Sequence, residues 1–281
     1  MENENINLKE NEKENKKENE NEKETETEKI IDDEIIKVYI DEQKNKGKCI
    51  IKEINLLKLN EKEKNMVLNE EFIISQFKHS NIIKCNEFHL NNNKINIIME
   101  YPEGGNLLNK INENNNKGFE EEQIIKWLIE ICEGIKYIHR NNIFDLNLKS
   151  SNIFLTKDNH IKIGNFKIIK KLNNEYEKIS TQIIKNETYD FENDIWNLVI
   201  ILYELTQLKH PFHDNGNNNE EIKNNIKYED FSNKNYSDKL LSLIKILLKN
   251  NSNERLDINQ ILFKCYSILF KINSESKKEK Y

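Results

Sequence analysis

Arginine, cysteine and glycine are all scarce in this chain, and each scarcity narrows what it can do. The four cysteines (Cys49, Cys85, Cys132, Cys265) are dispersed with no CxxC pair, which argues against a disulfide framework and against a zinc site. No glycine precedes Gly47, so the first part of the chain has nothing from which to build a glycine-rich phosphate cradle. No uninterrupted apolar run approaches a membrane span, and the N-terminus is polar and acidic, unlike a secretory signal. A soluble, cytoplasmic protein is expected. Of 43 basic residues only Arg140 and Arg255 are arginines. Asn, Lys and Ile abound instead and share A/T-rich codons, so part of the asparagine reads as coding bias.

What is present is unevenly spread over 281 residues, enough for one large domain or two lobes. Residues 1–29 hold 11 Glu and 6 Lys, a net of −5, which leaves −1 of the total −6 for the remainder. That remainder is nearly neutral and has no basic stripe for nucleic acid. The first 29 residues are low in complexity and have almost nothing to bury, so they read as a disordered acidic tail.

From Ile30 onward the pattern changes. "IIKVYI" (35–40) and "GKCIIKEINLL" (47–57) read as strands joined by a polar turn, and "KINIIMEY" (94–101) as another. "EKNMVLNEEFIISQF" (63–77) has helical apolar spacing. After "PEGGN" (102–106) long helices take over. Ile124, Trp127, Leu128, Ile131, Ile135 and Ile138 recur at three- and four-residue steps, marking one buried face. "DIWNLVIILYELT" (194–206) is apolar on nearly all sides, while 237–250 and 258–272 are amphipathic. The expected plan is α+β and bilobal: a small β-rich lobe with one helix (30–101), a larger helical lobe (102–272) and a short charged tail (273–281).

Seven segments in fixed order carry a resemblance: "IIKEINL" (50–56), "LNEEFIISQFKHSNII" (68–83), "IIMEYPEGGNL" (97–107), "QIIKWLIEICEGIKYIH" (123–139), "LKSSNIFLT" (148–156), "DIWNLVIILYELTQLKHPF" (194–212) and "NERLDINQIL" (253–262). On them the chain resembles a protein kinase domain of the NIMA-related (Nek) serine/threonine type. The resemblance implies a kinase-like fold with ATP and Mg²⁺ as cofactors. It places Lys52 on the α- and β-phosphates and Glu70 as the glutamate that orients it. Met99 falls at the gatekeeper position and Tyr101 in the hinge that borders the nucleotide. Lys149 matches the catalytic-loop lysine, and Asn152 a nucleotide-side metal ligand.

Other positions depart from the family. By spacing back from Lys52, the glycine-rich loop falls on "IIDDEI" (30–35), where Asp32, Asp33 and Glu34 would repel a triphosphate. These residues read as the end of the acidic tail. Asn147 replaces the catalytic base, and an amide oxygen cannot usefully accept the substrate hydroxyl proton. Leu146 and Asp145 occupy the arginine and histidine positions before it, and Asp145 lies too far upstream to substitute as base. In "GNFK" Asn165 replaces the metal-binding aspartate and Lys167 the glycine, with Phe166 kept. Mg²⁺ prefers anionic oxygen, which an amide does not supply. The stretch from Asn165 to Asp194 is roughly ten residues shorter than usual for kinases and lacks the peptide-docking motif. Either Gln182 stands for its terminal glutamate or Thr181 for the loop phosphosite, and Arg255 would then lose its ion-pair partner. Ile50 is bulky where a small residue contacts adenine.

The expectation is a pseudokinase that acts as a protein-interaction or regulatory scaffold. An active serine/threonine kinase and a nucleotide sensor without turnover are the alternatives. Partners would be proteins, an active kinase or a cytoskeletal component among them, with no nucleic acid or membrane role. Family resemblance adds nuclear, centrosomal or ciliary association to a cytoplasmic location. His210 and His213 read as loop residues, and Cys132 as core.

Overall fold

A computed structural model describes residues 28–43, 47–114, 117–141, 148–164, 191–210, 236–248 and 256–278. The small lobe is a five-stranded antiparallel sheet of β1 (Glu28–Asp32), β2 (Ile36–Gln43), β3 (Gly47–Asn55), β4 (Cys85–Asn91) and β5 (Lys94–Glu100). Its strand order is β1-β2-β3-β5-β4. Successive side chains on a strand alternate between faces, so pairing register decides which residues share the inner one. Ile36, Val38 and Ile40 stand opposite Ile54, Lys52 and Ile50, which in turn face Ile95, Ile97 and Met99. All nine therefore line one face. Eight are buried and Met99 is half-buried, so Lys52 sits at the centre of an aliphatic grid.

Helix α1 (Glu61–Ser75) covers that grid. It starts at Asn60, whose side chain accepts from the Glu63 N–H while the Glu63 carboxylate accepts from the Asn60 N–H, a reciprocal cap. The β4–β5 turn uses Asn92 and Asn93 at φ 47° and 63°, a left-handed conformation that asparagine tolerates better than most residues.

The structure corrects the expected start of the fold. Residues 30–35 are not the end of a tail, because β1 begins at Glu28 and pairs with β2, and Ile31 and Ile35 pack against the sheet core. An edge strand gains ladder bonds from its neighbour, which short-range composition does not reveal. Residues 1–27 of the expected tail lie outside the described residues.

The large lobe contains α2 (Leu107–Glu113), α3 (Glu121–Arg140), the hairpin β6 (Ile153–Leu155) and β7 (Ile161–Ile163), α4 (Phe191–Gln207), α5 (Asp238–Leu247) and α6 (Ile258–Lys278). All six residues of the expected α3 face are buried, and the Trp127 indole donates to the Asn159 carbonyl at 2.8 Å. Fully burying one such side chain stabilises by roughly 1.5–3 kcal/mol. Leu198, Val199, Ile201, Leu202 and Leu205 are buried too, which makes α4 the central helix. Helix α6 runs six residues beyond Ile272, where a charged tail was expected. The i,i+4 pair Lys271–Glu275, at 3.5 Å, spans that boundary and favours continued helix.

Backbone contacts anchor the exit of the hinge to β6 and join the small lobe to the large one. The Gly104 N–H donates to the Leu155 carbonyl (2.8 Å), and the Leu155 N–H to the Gly105 carbonyl (2.9 Å). A Cβ at position 104 would lie 2.5 Å from the Thr156 carbonyl oxygen, so this approach requires glycine. Behind the hinge, the Ile83 N–H donates to the Ile163 carbonyl at 2.9 Å.

Candidate active site

The inner sheet face places Lys52 towards α1, and the partner it meets there is Glu71, at 2.5 Å. The assignment of Glu70 is thus corrected by one residue. Helical geometry gives the reason: Val67, Glu71 and Ile74 follow at four- and three-residue steps on the face that meets the sheet. Glu70 lies 100° round the helix and is half-buried. Lys52 and Glu71 are 1% and 2% exposed, so both charges have left water. Such a pair holds only while both members remain, because either one alone is an uncompensated buried charge. Beside it is a cavity of about 40 Å³, bordered also by Ile97, Met99 and Gly164, with room for a few waters.

The tip of the β1–β2 hairpin is where phosphates would be covered. Three of its backbone donors are already used. The Ile35 and Ile36 N–H groups both donate to the Asp33 carboxylate, at 2.8 and 2.6 Å, and the Asp33 N–H donates to the Ile36 carbonyl. The flanking acids are engaged as well, Asp32 with Lys37 at 3.7 Å and Glu34 with Lys58 at 3.2 Å. An aspartate-capped turn in a short hairpin is a stable local solution, and it leaves a carboxylate where a phosphate would need N–H groups. The residues present at this tip do not fit a triphosphate.

Along the hinge, Glu100 binds in two directions. Its carboxylate accepts from the Lys84 N–H (2.6 Å) and from the Lys162 ammonium on β7 (2.7 Å), linking the hinge to the large lobe. Tyr101 is half-buried, with the Lys48 ammonium 5.8 Å from its ring centre. Pro102 is buried and, as a proline, has no N–H to offer a ligand. Ile50 is buried in the sheet core, and Phe154 of β6 packs up against that same core. A Cβ at position 164 would meet the Phe154 ring at 2.9 Å, so Gly164 makes the room that ring needs.

Below the cleft, Lys149 is exposed and precedes the turn Ser150–Asn152. Asn152 is buried, with its carbonyl accepting from the Gly164 N–H at 3.0 Å, which brings the expected metal-ligand position next to Gly164. Three side chains not read as site residues from the sequence pair near the ends of α3 and α4. His139, at the end of α3, meets Asp194, at the start of α4, at 2.7 Å. Glu204 is buried on α4 and accepts from Ser150. Burial pushes its carboxyl above the ordinary carboxylate value, against the opposing effects of that hydrogen bond and of His210. Cys132 is buried and its thiol is pushed well up by desolvation, which suits core and not nucleophile. Asp145, Leu146, Asn147, Asn165, Phe166, Lys167, Thr181, Gln182, His213 and Arg255 lie outside the described residues. Among the described residues there is no group of three or more His, Cys, Asp or Glu that could hold a metal, and no helix long and apolar enough to cross a membrane.

The bilobal frame, the buried lysine–glutamate pair and the hinge agree with comparisons to known proteins. Residues 34–267 match the protein kinase domain family. The chain is 36% identical over 227 residues to the serine/threonine-protein kinase Nek1 of Mus musculus, covering 76% of this chain and 19% of that protein. It is 36% identical over 240 residues to Nek5 of Homo sapiens, covering 80% and 34% respectively. A probable serine/threonine-protein kinase nek3 of Dictyostelium discoideum is 38% identical over 179 residues, 58% of this chain and 16% of that protein. The chain therefore belongs to the protein kinase family, in its NIMA-related branch. It spans between about a sixth and a third of the length of these relatives.

Proposed function

We propose that this domain is a pseudokinase: a kinase-shaped, cytoplasmic module that works by binding other proteins and does not transfer phosphate. The observation that carries the reading is the hairpin tip, where Asp33 takes the Ile35 and Ile36 N–H groups. A nucleotide triphosphate needs those donors free, and a fixed carboxylate at the same place repels it. Three features of the sequence support the same reading. Asn147 stands at the base position, Asn165 at a principal metal-ligand position, and Pro102 takes an N–H out of the hinge. Loss of one preorganised electrostatic group commonly costs roughly 10²–10³ in rate. Groups that act as a unit do not fail independently, so several losses together leave little to rescue. Lys52 and Glu71 then serve as a buried link between sheet and helix.

The pair also favours a second reading, a sensor that binds ATP without turnover, since it is the part of the site best preserved. Phosphotransfer from ATP to casein, with Mg²⁺ or Mn²⁺, separates the readings from an active enzyme. No transfer above background is expected. Transfer that disappears in Lys149→Ala, an exposed position whose loss should leave folding intact, would overturn the pseudokinase assignment.

A further inference from the structure

Helix α6 has a second face that nothing in the cleft uses. Ile261, Cys265 and Ile268 are buried on the side that packs against the rest of the lobe. On the opposite side Phe263, Tyr266 and Phe270 are 76%, 49% and 77% exposed. At 100° per residue these three aromatics fall within about 60° of one another, forming a single stripe. An aromatic side chain carries roughly 150–250 Å² of surface, so the stripe exposes on the order of 300–500 Å² of apolar area. A standard interface buries about 800 Å² per partner, of which about 56–58% is apolar, or roughly 450 Å². The stripe matches the apolar share of one such interface.

We propose that α6 is a self-association surface, pairing in parallel with α6 of a second copy of this chain. The stripe has coiled-coil spacing, with Phe263 and Phe270 at equivalent positions one heptad apart and Tyr266 between them. The next positions outward are Asn259 and Asn273, both exposed, which bound the apolar segment and favour one register. Charge selects the orientation. Beyond Ser267, on the Phe263 side of the stripe, lie Lys264 and Lys271, with Glu275 beside Lys271 at 3.5 Å, a net positive edge. On the other side stands Glu133 of α3, whose carboxylate accepts from the Tyr266 hydroxyl at 3.3 Å. Parallel helices bring unlike flanks together, so the lysine side of each copy faces the Glu133 side of the other. Antiparallel helices bring like flanks together and set lysine against lysine.

The test is sedimentation velocity on the full chain from low to high micromolar concentration. Wild type is expected to dimerise. Phe263→Ser with Phe270→Ser should weaken self-association by roughly 100-fold, as loss of two central aromatic anchors does, with a melting temperature that matches wild type at dilutions where wild type is monomeric, because both residues are exposed there. A monomeric wild type would overturn the proposal and leave the stripe to a different protein. A dimer indifferent to the double substitution would overturn it too. Mild oxidation fixes the orientation. Phe270→Cys should cross-link to itself, beyond the background of wild type. Cross-linking only when Phe263→Cys and Phe270→Cys are mixed would mean an antiparallel pair and contradict the charge argument.

Discussion

At the centre of the small sheet, Lys52 lies among isoleucines and reaches across to Glu71 on α1. At the β1–β2 tip, two strands away from β5, three acids stand where backbone donors would face a phosphate. The first region keeps the family's lysine–glutamate pair, and the second departs from the family's glycine loop. The difference lies in what each arrangement does when no ligand is present. A buried lysine and glutamate hold helix to sheet, and losing either costs the fold. An exposed glycine loop contributes nothing to the fold, and replacing it with an aspartate-capped turn gains two hydrogen bonds. On the proposed reading, with phosphate transfer no longer constraining the chain, stability preserves the pair and dismantles the loop.

The sharpest way to break this comparison is to remove one member of the pair. Glu71→Ala should cost about 3–5 kcal/mol in urea unfolding, since it strands a buried ammonium. Glu70→Ala should cost less than about 1 kcal/mol. Equal losses at the two positions would mean that α1 does not present the face described. The hairpin should respond more mildly. Asp33→Ala removes the acceptor of two N–H groups and should cost about 1–2 kcal/mol, a stabilising role that a residue left over from a tail would not have.

Glu204 gives a pH-dependent contrast of similar or smaller size. Its folded carboxyl is raised by burial, so above the ordinary carboxylate value the unfolded chain ionises first. Wild-type stability should fall as pH rises from that ordinary value through the raised one, and be fully present below it. Glu204→Gln, which carries no charge to bury, should flatten the decline. Melting curves across mildly acidic to neutral pH would check this, and identical slopes for the two proteins would contradict it.

Much of the frame was legible beforehand. The α3 face, the central α4 helix and the β3 and β5 strands follow from periodicity, because each buries a strongly apolar, regularly spaced set. The misses share a physical cause, since each depends on a neighbour distant in sequence. Glu70 and Glu71 are adjacent carboxylates, and only docking of α1 on the sheet decides which one faces Lys52; the spacing Val67–Glu71–Ile74 was the available signal. Strand β1 is stabilised by its ladder with β2. The Glu100–Lys162 and His139–Asp194 contacts join residues 62 and 55 positions apart. At Pro102 the missing N–H was visible in the letter itself, and its consequence needed the hinge to be in place.

The smallest effect expected is a null one. Asn147→Asp with Asn165→Asp restores both carboxylates but leaves Asp33 over the phosphate position and the shortened docking segment unchanged. Positioning accounts for roughly 7–11 kcal/mol of an enzyme's barrier reduction, which two side chains cannot supply. Peptide-array phosphorylation by this double variant should stay at the wild-type background, and a robust signal abolished by Lys149→Ala would mean that the two amides alone silence the domain.

Whether Lys52 and Glu71 remain as structure or as a nucleotide site is tested most directly by titrating ATP into the wild-type protein while following its melting temperature, with and without Mg²⁺. Saturating ATP, near 100 times its Kd, would add about 2.7 kcal/mol of stability to a protein that binds it. No shift is predicted under either condition. A saturable, Mg²⁺-dependent rise in melting temperature would contradict the account, because it would require a hairpin tip and a metal position that accept the triphosphate.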